Sequence, residues 1–284
     1  MTRSSSGRVW IVTGASSGFG RAIAEAAVAA GDVVVAAARR TAALEDLVAA
    51  HPDRVEAVAL DVTDQAAAAA VVADVRARYG RVDVLVNNAG RGHVGAAEET
   101  TDQELRDLFD LHVHGPAALV RAVLPGMRER GSGAVVQMSS FGGQVAYPGF
   151  SAYCATKFAL EGYSEALAAE VGPLGIRVLV VEPGAFRTSF SGSALGQSAR
   201  IPAYDGTVGP TREMITGIDG TQPGDPARAA AAVLAALDAD ETPLRLPLGA
   251  DAVDGVLGHL DAVRAEVLAW EATGRATAFE PVAP

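Results

Sequence analysis

The chain has 284 residues, of which 49% are hydrophobic and 20% charged, and this composition predicts a globular protein that can bury a full core. Its formal net charge of −11 argues against nucleic acid as a partner, because such binding neutralises phosphates with Lys and Arg. The polar start, residues 1–7, lacks the apolar stretch of a secretory signal, and no later apolar run approaches the about 18 residues that span a bilayer, so we predict a cytoplasmic protein without a membrane span.

Apolar runs alternate with helical stretches along most of the chain. A short run at residues 9–12 comes first, and the later runs, which predict strands buried on both faces, are residues 33–38, 55–60, 82–86, 134–138 and 176–181. The stretches with Ala, Leu and Glu at helical spacing are residues 21–28, 41–50, 64–79, 102–130 and 153–171. This alternation predicts an α/β fold with a doubly wound, mostly parallel sheet, helices on both faces, and a ligand at the carboxyl ends of the strands.

The alternation stops in the last third of the chain. Residues 188–226 are rich in Gly, Ser, Pro and Thr with scattered apolar side chains, which predicts a mobile segment covering the ligand site. A helix at 227–237, a strand at 244–248 and an amphipathic helix at 251–270 follow. We therefore expect one catalytic domain, residues 1–284, with its core at 7–190 and 227–250.

A glycine-rich turn follows the first apolar run and begins the first helix. It reads Thr13-Gly14-Ala15-Ser16-Ser17-Gly18-Phe19-Gly20. Glycines let the backbone approach a pyrophosphate, and the helix start supplies free amides and a positive dipole end. Three residues separate the first two glycines, where the commonest dinucleotide pattern has one, so the turn taken alone is also compatible with tight packing only.

The end of the second run indicates which nicotinamide cofactor is used. A site that prefers NAD usually presents an acid there, and this chain has Ala38 followed by Arg39 and Arg40. A guanidinium suits the additional 2′-phosphate of NADP, so NADP(H) is favoured over NAD(H), with Arg39 as the phosphate ligand. The alternative is that both arginines only face water.

Four motifs follow one another along the chain: Thr13-Gly14-x-x-x-Gly18-x-Gly20, Asn87-Asn88-Ala89-Gly90, Ser140 and Tyr153-x-x-x-Lys157. Taken in this order, they closely resemble the short-chain dehydrogenase/reductase family over about residues 7–190. The resemblance implies a single-domain fold and an enzyme acting on a small-molecule carbonyl or alcohol. It also implies a homodimer or homotetramer, in which the helices beginning near Asp102 and Tyr153 pair between subunits.

Tyr153, Lys157 and Ser140 are the candidate catalytic residues. Tyr153 and Lys157 lie four apart in a predicted helix, so an ammonium on the same face could lower the pKa of the phenol from its ordinary value near 10. The resemblance implies that Lys157 also holds the nicotinamide ribose and that Ser140 holds the substrate oxygen. The adjacent Ser139 is expected to bond to backbone instead.

The resemblance implies further cofactor contacts. Asn88-Ala89-Gly90 would support the sheet and contact the adenosine side, and Asp61-Val62 would contact the adenine, although Asp61 could also be only a turn former or a helix cap. Pro183-Gly184, Phe186 and Thr188 would meet the nicotinamide, and this segment could otherwise be a plain strand-ending turn.

One position departs from the family pattern. His112 stands three residues before Gly115, where the family usually has an asparagine whose main-chain carbonyl helps hold a proton-relaying water. His112 could serve as an additional proton carrier, or it could simply be a hydrogen-bonded buried histidine. The remaining histidines show no ligand-like grouping, so no metal is predicted.

The substrate is not specified by these motifs. Several apolar side chains could form its pocket, which suggests a hydrophobic ketone or alcohol: Phe141, Tyr147, Phe150, Phe186, Phe190, Ile201, Tyr204 and Met214. Two other functions use parts of the same machinery. One is a dinucleotide-binding sensor without turnover, and the other is a sugar-nucleotide epimerase or dehydratase, whose longer type the glycine spacing disfavours.

Overall fold

The computed structural model describes residues 7–192 and 194–279. Residues 1–6 of the polar start considered above therefore lie outside the described residues. Its strands are all short and mostly apolar. In chain order they are β1 (Val9–Thr13), β2 (Val33–Ala38), β3 (Val55–Ala59), β4 (Val84–Asn87), β5 (Gly92–Val94), β6 (Gly133–Met138), β7 (Ile176–Pro183), β8 (Leu195–Gln197) and β9 (Arg245–Leu248).

The helices fill the intervals between the strands, and most begin within three residues of the predicted positions. In chain order they are α1 (Gly18–Ala29), α2 (Glu45–Ala50), α3 (Gln65–Tyr79), α4 (Asp102–Phe109), α5 (Gly115–Arg130), α6 (Ser151–Val171), α7 (Gly209–Gly217), α8 (Pro226–Asp238), α9 (Ala250–Ala269) and α10 (Glu271–Arg275).

Seven strands form one parallel sheet in the order β3-β2-β1-β4-β6-β7-β9. Apolar clusters cover both faces, one including Trp10 with α1 and α8, the other including Ile11 with α3, α5 and α6. The predicted doubly wound α/β fold in a single domain is therefore confirmed. The strand order reverses between β1 and β4, which is where such sheets open a ligand crevice at their carboxyl ends.

The prediction for the strand at residues 55–60 is wrong in one respect. Residues 55–60 were predicted as a strand buried on both faces, but β3 is an edge strand, and Glu56, Ala57 and Val58 are half-buried while Ala59 is exposed. Only β2 pairs with it, so one side of the strand faces solvent.

The long helix predicted over residues 102–130 is interrupted. A capping box at Thr101 begins α4, and a π-helical turn, Asp110–His114, separates it from α5. Pro116 has no N–H, so the carbonyl of His112 lacks its usual helical donor four residues on. A Cβ on Gly115 would lie 2.5 Å from the carbonyl oxygen of Val62, which explains why a glycine stands at this turn.

The segment at residues 188–226, described except for Ser193, is more ordered than the sequence suggests. Its strand β8 pairs in parallel with β5 in a separate two-stranded sheet, and α7 lies farther along. Arg212 of α7 donates to Glu99 at 2.7 Å, and both side chains are less than 5% exposed. The expected mobile covering segment is therefore anchored at two points, and we call it the covering segment below.

The described helices include none that is long and apolar enough to cross a membrane.

Candidate active site

A cleft of about 1140 Å³ opens at the carboxyl ends of the strands, under the covering segment. It brings together nearly all the residues that the sequence identified, although they are spread along the chain from Gly14 to Thr188. Ser140, Tyr153, Lys157 and His112 line it, as does every predicted cofactor residue except Gly20. The predicted motifs thus converge on one site.

The glycine-rich turn leaves free amides at the start of α1. Ser17 is the N-cap residue and makes no side-chain cap, and the first turn carries no acidic residue. The first intrahelical bond is donated by the amide of Arg21 to the carbonyl of Ser17. The preceding helical amides are therefore available to an anion, and the positive end of the helix dipole favours one, as a dinucleotide pyrophosphate requires.

Close packing explains the glycines on either side of that turn. Asn88 donates to the carbonyl oxygens of Thr13, at 2.9 Å, and Gly14, at 3.2 Å, so the loop after β4 holds the turn in place. Gly14 has φ +63° and would place a Cβ 2.9 Å from the Asn88 amide nitrogen. A Cβ on Gly20 would overlap the same amide, so Gly20, which does not line the cleft, allows the close approach of Asn88.

At the adenosine end, Arg39 and Arg40 are exposed beside the cleft at the end of β2. Neither makes an ion pair within the described residues. Asp61 accepts hydrogen bonds from the Thr63 amide, at 3.0 Å, and from the Thr63 hydroxyl, at 2.8 Å. The Thr63 bonds and the positive charge of Arg39 hold the pKa of Asp61 below its usual range. Asp61 thus forms a turn and also lines the cleft, so its two predicted roles are compatible.

At the nicotinamide end, the chain after β7 lies against the glycine-rich turn. A Cβ on Gly18 would be 3.2 Å from the side chain of Thr188, and the rings of Phe19 and Phe186 are 5.1 Å apart. The carboxylate of Asp251, at the start of α9, accepts from the amide of Ala185 at 2.7 Å and supports this loop.

Ser140 and Tyr153 form the centre of the cleft. The amide of Gly142 donates to the Ser140 hydroxyl at 3.0 Å, and Ser140 acts to lower the pKa of the Tyr153 phenol. The Ser139 hydroxyl lies on the opposite side, beside the carboxyl group of Glu161. The choice of Ser140 over Ser139 fits this geometry, but the expectation that Ser139 bonds to backbone is wrong.

Lys157 is buried beside Tyr153, with its ammonium 5.8 Å from the centre of the phenol ring. The ammonium donates to the carbonyl oxygen of Met138 at 2.8 Å. Burial lowers the pKa of Lys157 to about 8, and the negative charge of Glu161 opposes that shift. The lysine is thus held in the cleft by the main chain of β6, with its pKa below the ordinary value.

The electrostatics of Tyr153 differ from the expectation. Burial raises the pKa of the phenol above its ordinary value, and the hydrogen bond from Ser140 opposes this effect. Lys157, which was expected to lower this pKa, is not among the groups that shift it, because the ammonium donates to the Met138 carbonyl and lies over the ring, 5.8 Å from its centre. The phenol is therefore a protonated group that can donate a hydrogen bond.

His112 lies inside the site, with only 1% of its surface exposed. One ring nitrogen accepts from the amide of Arg91 at 3.2 Å, and the other contacts the hydroxyl of Thr156 at 2.8 Å. Its ring meets that of Tyr153 edge to face at 5.7 Å. Burial, reinforced by the charges of Lys157 and Arg91, holds the pKa of His112 well below its ordinary value.

The outer part of the cleft is apolar. Of the side chains predicted to form a substrate pocket, Ile201 and Tyr204 do not line it, because Tyr204 points away and donates to Glu98. The rest do, and three aliphatic residues that the sequence did not single out join them: Leu195, Ile215 and Ile218. The described residues hold no group of His, Cys, Asp or Glu that could bind a metal ion.

Two features of the site were not found from the sequence. Thr156 links His112 to the main chain of Tyr153, and nothing in a Thr within a helix signals that contact. Glu161 and Glu182 form a buried carboxyl pair behind Lys157, contacted by Arg245 at 3.2 and 3.5 Å. Charged residues 21 positions apart give no sign that they meet, since only the packing of α6 on β7 unites them.

Comparisons with known proteins agree with this geometry. The family model described as short chain dehydrogenase matches residues 8–198. "Oxidoreductase BOA17" of Botryotinia fuckeliana is 39% identical over 248 residues, which are 87% of this chain and 90% of that protein.

Two solved structures extend the likeness to the whole fold. A short-chain dehydrogenase from Streptomyces avermitilis is 66% identical, with a TM-score of 0.92, and the match covers 97% of this chain and 100% of that one. The closed form of a serine dehydrogenase complexed with NADP+ is 29% identical, with a TM-score of 0.73 and coverage of 84% and 94%.

Proposed function

This chain belongs to the short-chain dehydrogenase/reductase family and is an NAD(P)-dependent oxidoreductase, and we propose that it uses NADP(H) to interconvert a hydrophobic ketone or aldehyde and the corresponding alcohol. The observation that carries the proposal is that Ser140, Tyr153 and Lys157 line one cleft together with the free amides at the start of α1. When bound, the cofactor supplies or accepts the hydride.

Tyr153 is the proposed proton donor in the reducing direction. Its raised pKa keeps the hydroxyl protonated near neutrality, and a carbonyl oxygen placed beside it receives both its proton and a hydrogen bond from Ser140. As the carbonyl carbon is reduced, negative charge develops on that oxygen and is neutralised by the proton of Tyr153. Oxidation of an alcohol reverses the transfer, with the phenolate accepting the proton.

Lys157 supplies positive charge at the side of this pair. Below pH about 8 its ammonium is charged and lies 5.8 Å from the centre of the phenol ring, so the cleft holds a cation beside the reacting hydroxyl. One of its three hydrogens is used by Met138, so the others are available to a hydroxyl of the cofactor ribose.

The proposed cofactor is NADP(H), because Arg39 and Arg40, which make no ion pair within the described residues, are exposed beside the cleft where its 2′-phosphate would lie. Ala38 at the end of β2 provides no carboxylate to hold an unphosphorylated ribose. The residues fit a dinucleotide: the turn offers unpaired amides, and Gly14 keeps its surface free of side-chain atoms. The serine dehydrogenase with a similar fold was solved with NADP+, which supports the same choice.

The proposed substrate is hydrophobic and neutral. Phe150, Phe190 and Ile215 pack beside Tyr153, so the space next to the reacting oxygen is bounded by apolar surface. Burying an unpaired charge against that surface would be costly. Cytoplasmic location and a homodimer or homotetramer stay predictions from the sequence.

The decisive experiment follows NADPH absorbance while the full chain is mixed with a panel of neutral ketones and aldehydes of increasing size. We expect NADPH loss matched by alcohol formation, and slower loss with NADH. Cofactor binding without loss for every compound would favour a sensor. A rearranged product with no net change in cofactor, on a sugar-nucleotide substrate, would favour an epimerase or dehydratase.

A further inference from the structure

A directed chain of hydrogen bonds passes through the side chain of His112. The amide of Arg91, in the loop after β4, lies 3.2 Å from Nε2 of the imidazole. Nδ1 lies 2.8 Å from the hydroxyl of Thr156, which itself donates to the carbonyl oxygen of Tyr153 at 2.7 Å. The side chain therefore bridges the loop that lines the cofactor cleft and the first turn of α6.

The donors in this chain determine where the imidazole proton lies. A backbone amide can only donate, so Nε2 must be the unprotonated nitrogen that accepts from Arg91. The hydrogen of Thr156 is used by the carbonyl of Tyr153, so its oxygen accepts from Nδ1 of His112, which must carry the proton. Every donor and acceptor of the imidazole is then satisfied by the neutral ring.

The surroundings oppose a second proton on this ring. The ring is buried, and the charges that act on it, those of Lys157 on α6 and of Arg91 after β4, are both positive. A proton on Nε2 would also break the bond from the Arg91 amide and leave that amide facing another donor.

We infer that His112 is a positioning residue that couples the loop after β4 to the catalytic tyrosine, and that its imidazole neither gains nor loses a proton during the reaction. The inference rests on the proposed function for what is being positioned. Through Thr156 the histidine holds the main chain of Tyr153, and its ring edge, 90° to the phenol, restricts the plane of that phenol. Through the amide of Arg91 it holds the loop next to Gly90, where a Cβ would lie 3.2 Å from Nε2.

Two substitutions of His112 test separately the two hydrogen bonds that its imidazole makes. In His112→Asn the amide nitrogen can occupy the position of Nδ1 and keep the bond to Thr156, but nothing accepts from Arg91. In His112→Gln the amide oxygen can occupy the position of Nε2 and keep the bond from Arg91, but nothing donates to Thr156. We expect His112→Asn to raise KM for NADPH with kcat nearly unchanged. We expect His112→Gln to lower kcat roughly tenfold or more with KM nearly unchanged.

Substitutions of Thr156 provide the matched control for the hydrogen bond between Nδ1 of His112 and the Thr156 hydroxyl. Thr156→Val keeps the shape but removes the hydroxyl, so it should reproduce the kcat loss of His112→Gln, and Thr156→Ser should restore kcat. Thermal unfolding midpoints of all four variants identify any loss caused by misfolding. A wild-type kcat in both His112→Gln and Thr156→Val would overturn the inference, as would a displaced pH midpoint of kcat in either His112 variant.

A measurement without turnover separates this inference from the proposed function. Nitrogen-15 NMR of the imidazole in the wild-type chain should show a proton on Nδ1 and none on Nε2 from pH 8 down to pH 5. A proton on Nε2, or a charged ring at pH 6, would overturn the assignment even if the enzyme is active. If no carbonyl compound is reduced, the proposed function fails, while the NMR result still decides the state of His112.

Discussion

The ammonium of Lys157 stands 5.8 Å from the centre of the Tyr153 ring and gives its hydrogen bond to a main-chain carbonyl instead of to the phenol. Ser140, and not Lys157, is the polar side chain that acts to lower the pKa of the phenol. We therefore propose different tasks for the two residues: the phenol would carry the proton, and the lysine would supply positive charge next to it.

Replacing Tyr153 by Phe should remove turnover and preserve the cleft. The hydroxyl is the only atom lost, and general acid catalysis contributes about 10²- to 10⁴-fold, so kcat should fall by that factor. NADPH affinity, measured by the fluorescence of the bound cofactor, should change by less than about threefold. A variant that keeps half of the wild-type kcat would remove Tyr153 from the mechanism.

Ser140→Ala should lower kcat by about 10²- to 10³-fold, because it removes one donor to the oxygen on which charge develops. Ser139→Ala is the matched control, since that hydroxyl lies beside Glu161 outside the reacting pair. Steady-state reduction of one ketone by both variants tests the assignment. An equal loss in both variants would mean that neighbouring packing, and not hydrogen bonding to the substrate, is responsible.

Arg39→Ala should weaken NADPH binding and leave NADH binding unchanged. A charged hydrogen bond contributes about 1.5–3 kcal/mol, which corresponds to roughly a 10- to 150-fold change in Kd. Titrating each cofactor into the wild type, Arg39→Ala and Arg40→Ala separates the two arginines. If the NADPH to NADH ratio is the same in Arg39→Ala as in the wild type, Arg39 does not hold the phosphate.

The activity of the free enzyme should fall as the pH rises through about 8, where Lys157 loses its proton. Glu161 favours the charged lysine, so Glu161→Gln should move this midpoint in kcat/KM to lower pH. Glu165→Gln, on the exposed side of the same helix, is the control and should leave the midpoint in place. A midpoint that stays constant in Glu161→Gln would exclude electrostatic support from this carboxylate.

The free energy of unfolding should depend on the Glu161–Glu182 pair between pH 4.5 and 7. Burial raises the pKa of Glu161 and of Glu182 above the ordinary value of 4.5, so between that value and the folded pKa the folded chain binds more protons than the unfolded chain. Their contribution to stability is present at low pH and is lost as the pH rises, by about 1.4 kcal/mol for each unit of pKa difference. Urea unfolding at several pH values should show a flatter dependence from pH 4.5 to 7 in Glu161→Gln. An unchanged slope would contradict the shared burial of the pair.

How much could be predicted from the sequence depended on whether the signal was local. Alternating runs and the glycine turn predicted the sheet, α1 and the position of the cleft, because strand ends meet wherever the topology is doubly wound. Contacts between distant residues left no such signal. The hydrogen bond between His112 and Thr156 and the contact of Glu161 with Glu182 depend on how α6 packs against the π-helical turn and β7.

The errors have the same origin. Tyr204 was predicted to line the pocket because it is aromatic and near other apolar residues, but its hydroxyl donates a hydrogen bond to Glu98, and it does not line the cleft. The interruption before Gly115 was missed because His, Val and Gly are all compatible with a helix, and the deciding contact is the carbonyl of Val62 on another element. Lys157 was expected to lower the pKa of the phenol directly. Its ammonium instead donates to the main-chain carbonyl oxygen of Met138, and a main-chain acceptor has no signature in the sequence.

The pairing of β5 with β8 constrains how new substrate ranges can be obtained from this scaffold. Exchanging residues 188–226 for the equivalent stretch of another enzyme would bring a foreign strand to Gly92–Val94, where a Cβ on Gly92 would lie 2.8 Å from Leu195. The same exchange would replace Arg212 and leave Glu99 as a buried carboxylate with no cation. A chimera should therefore transfer residues 92–99 together with 188–226 as one module, and variation within the module is best directed at Ile215, Ile218 and Met214.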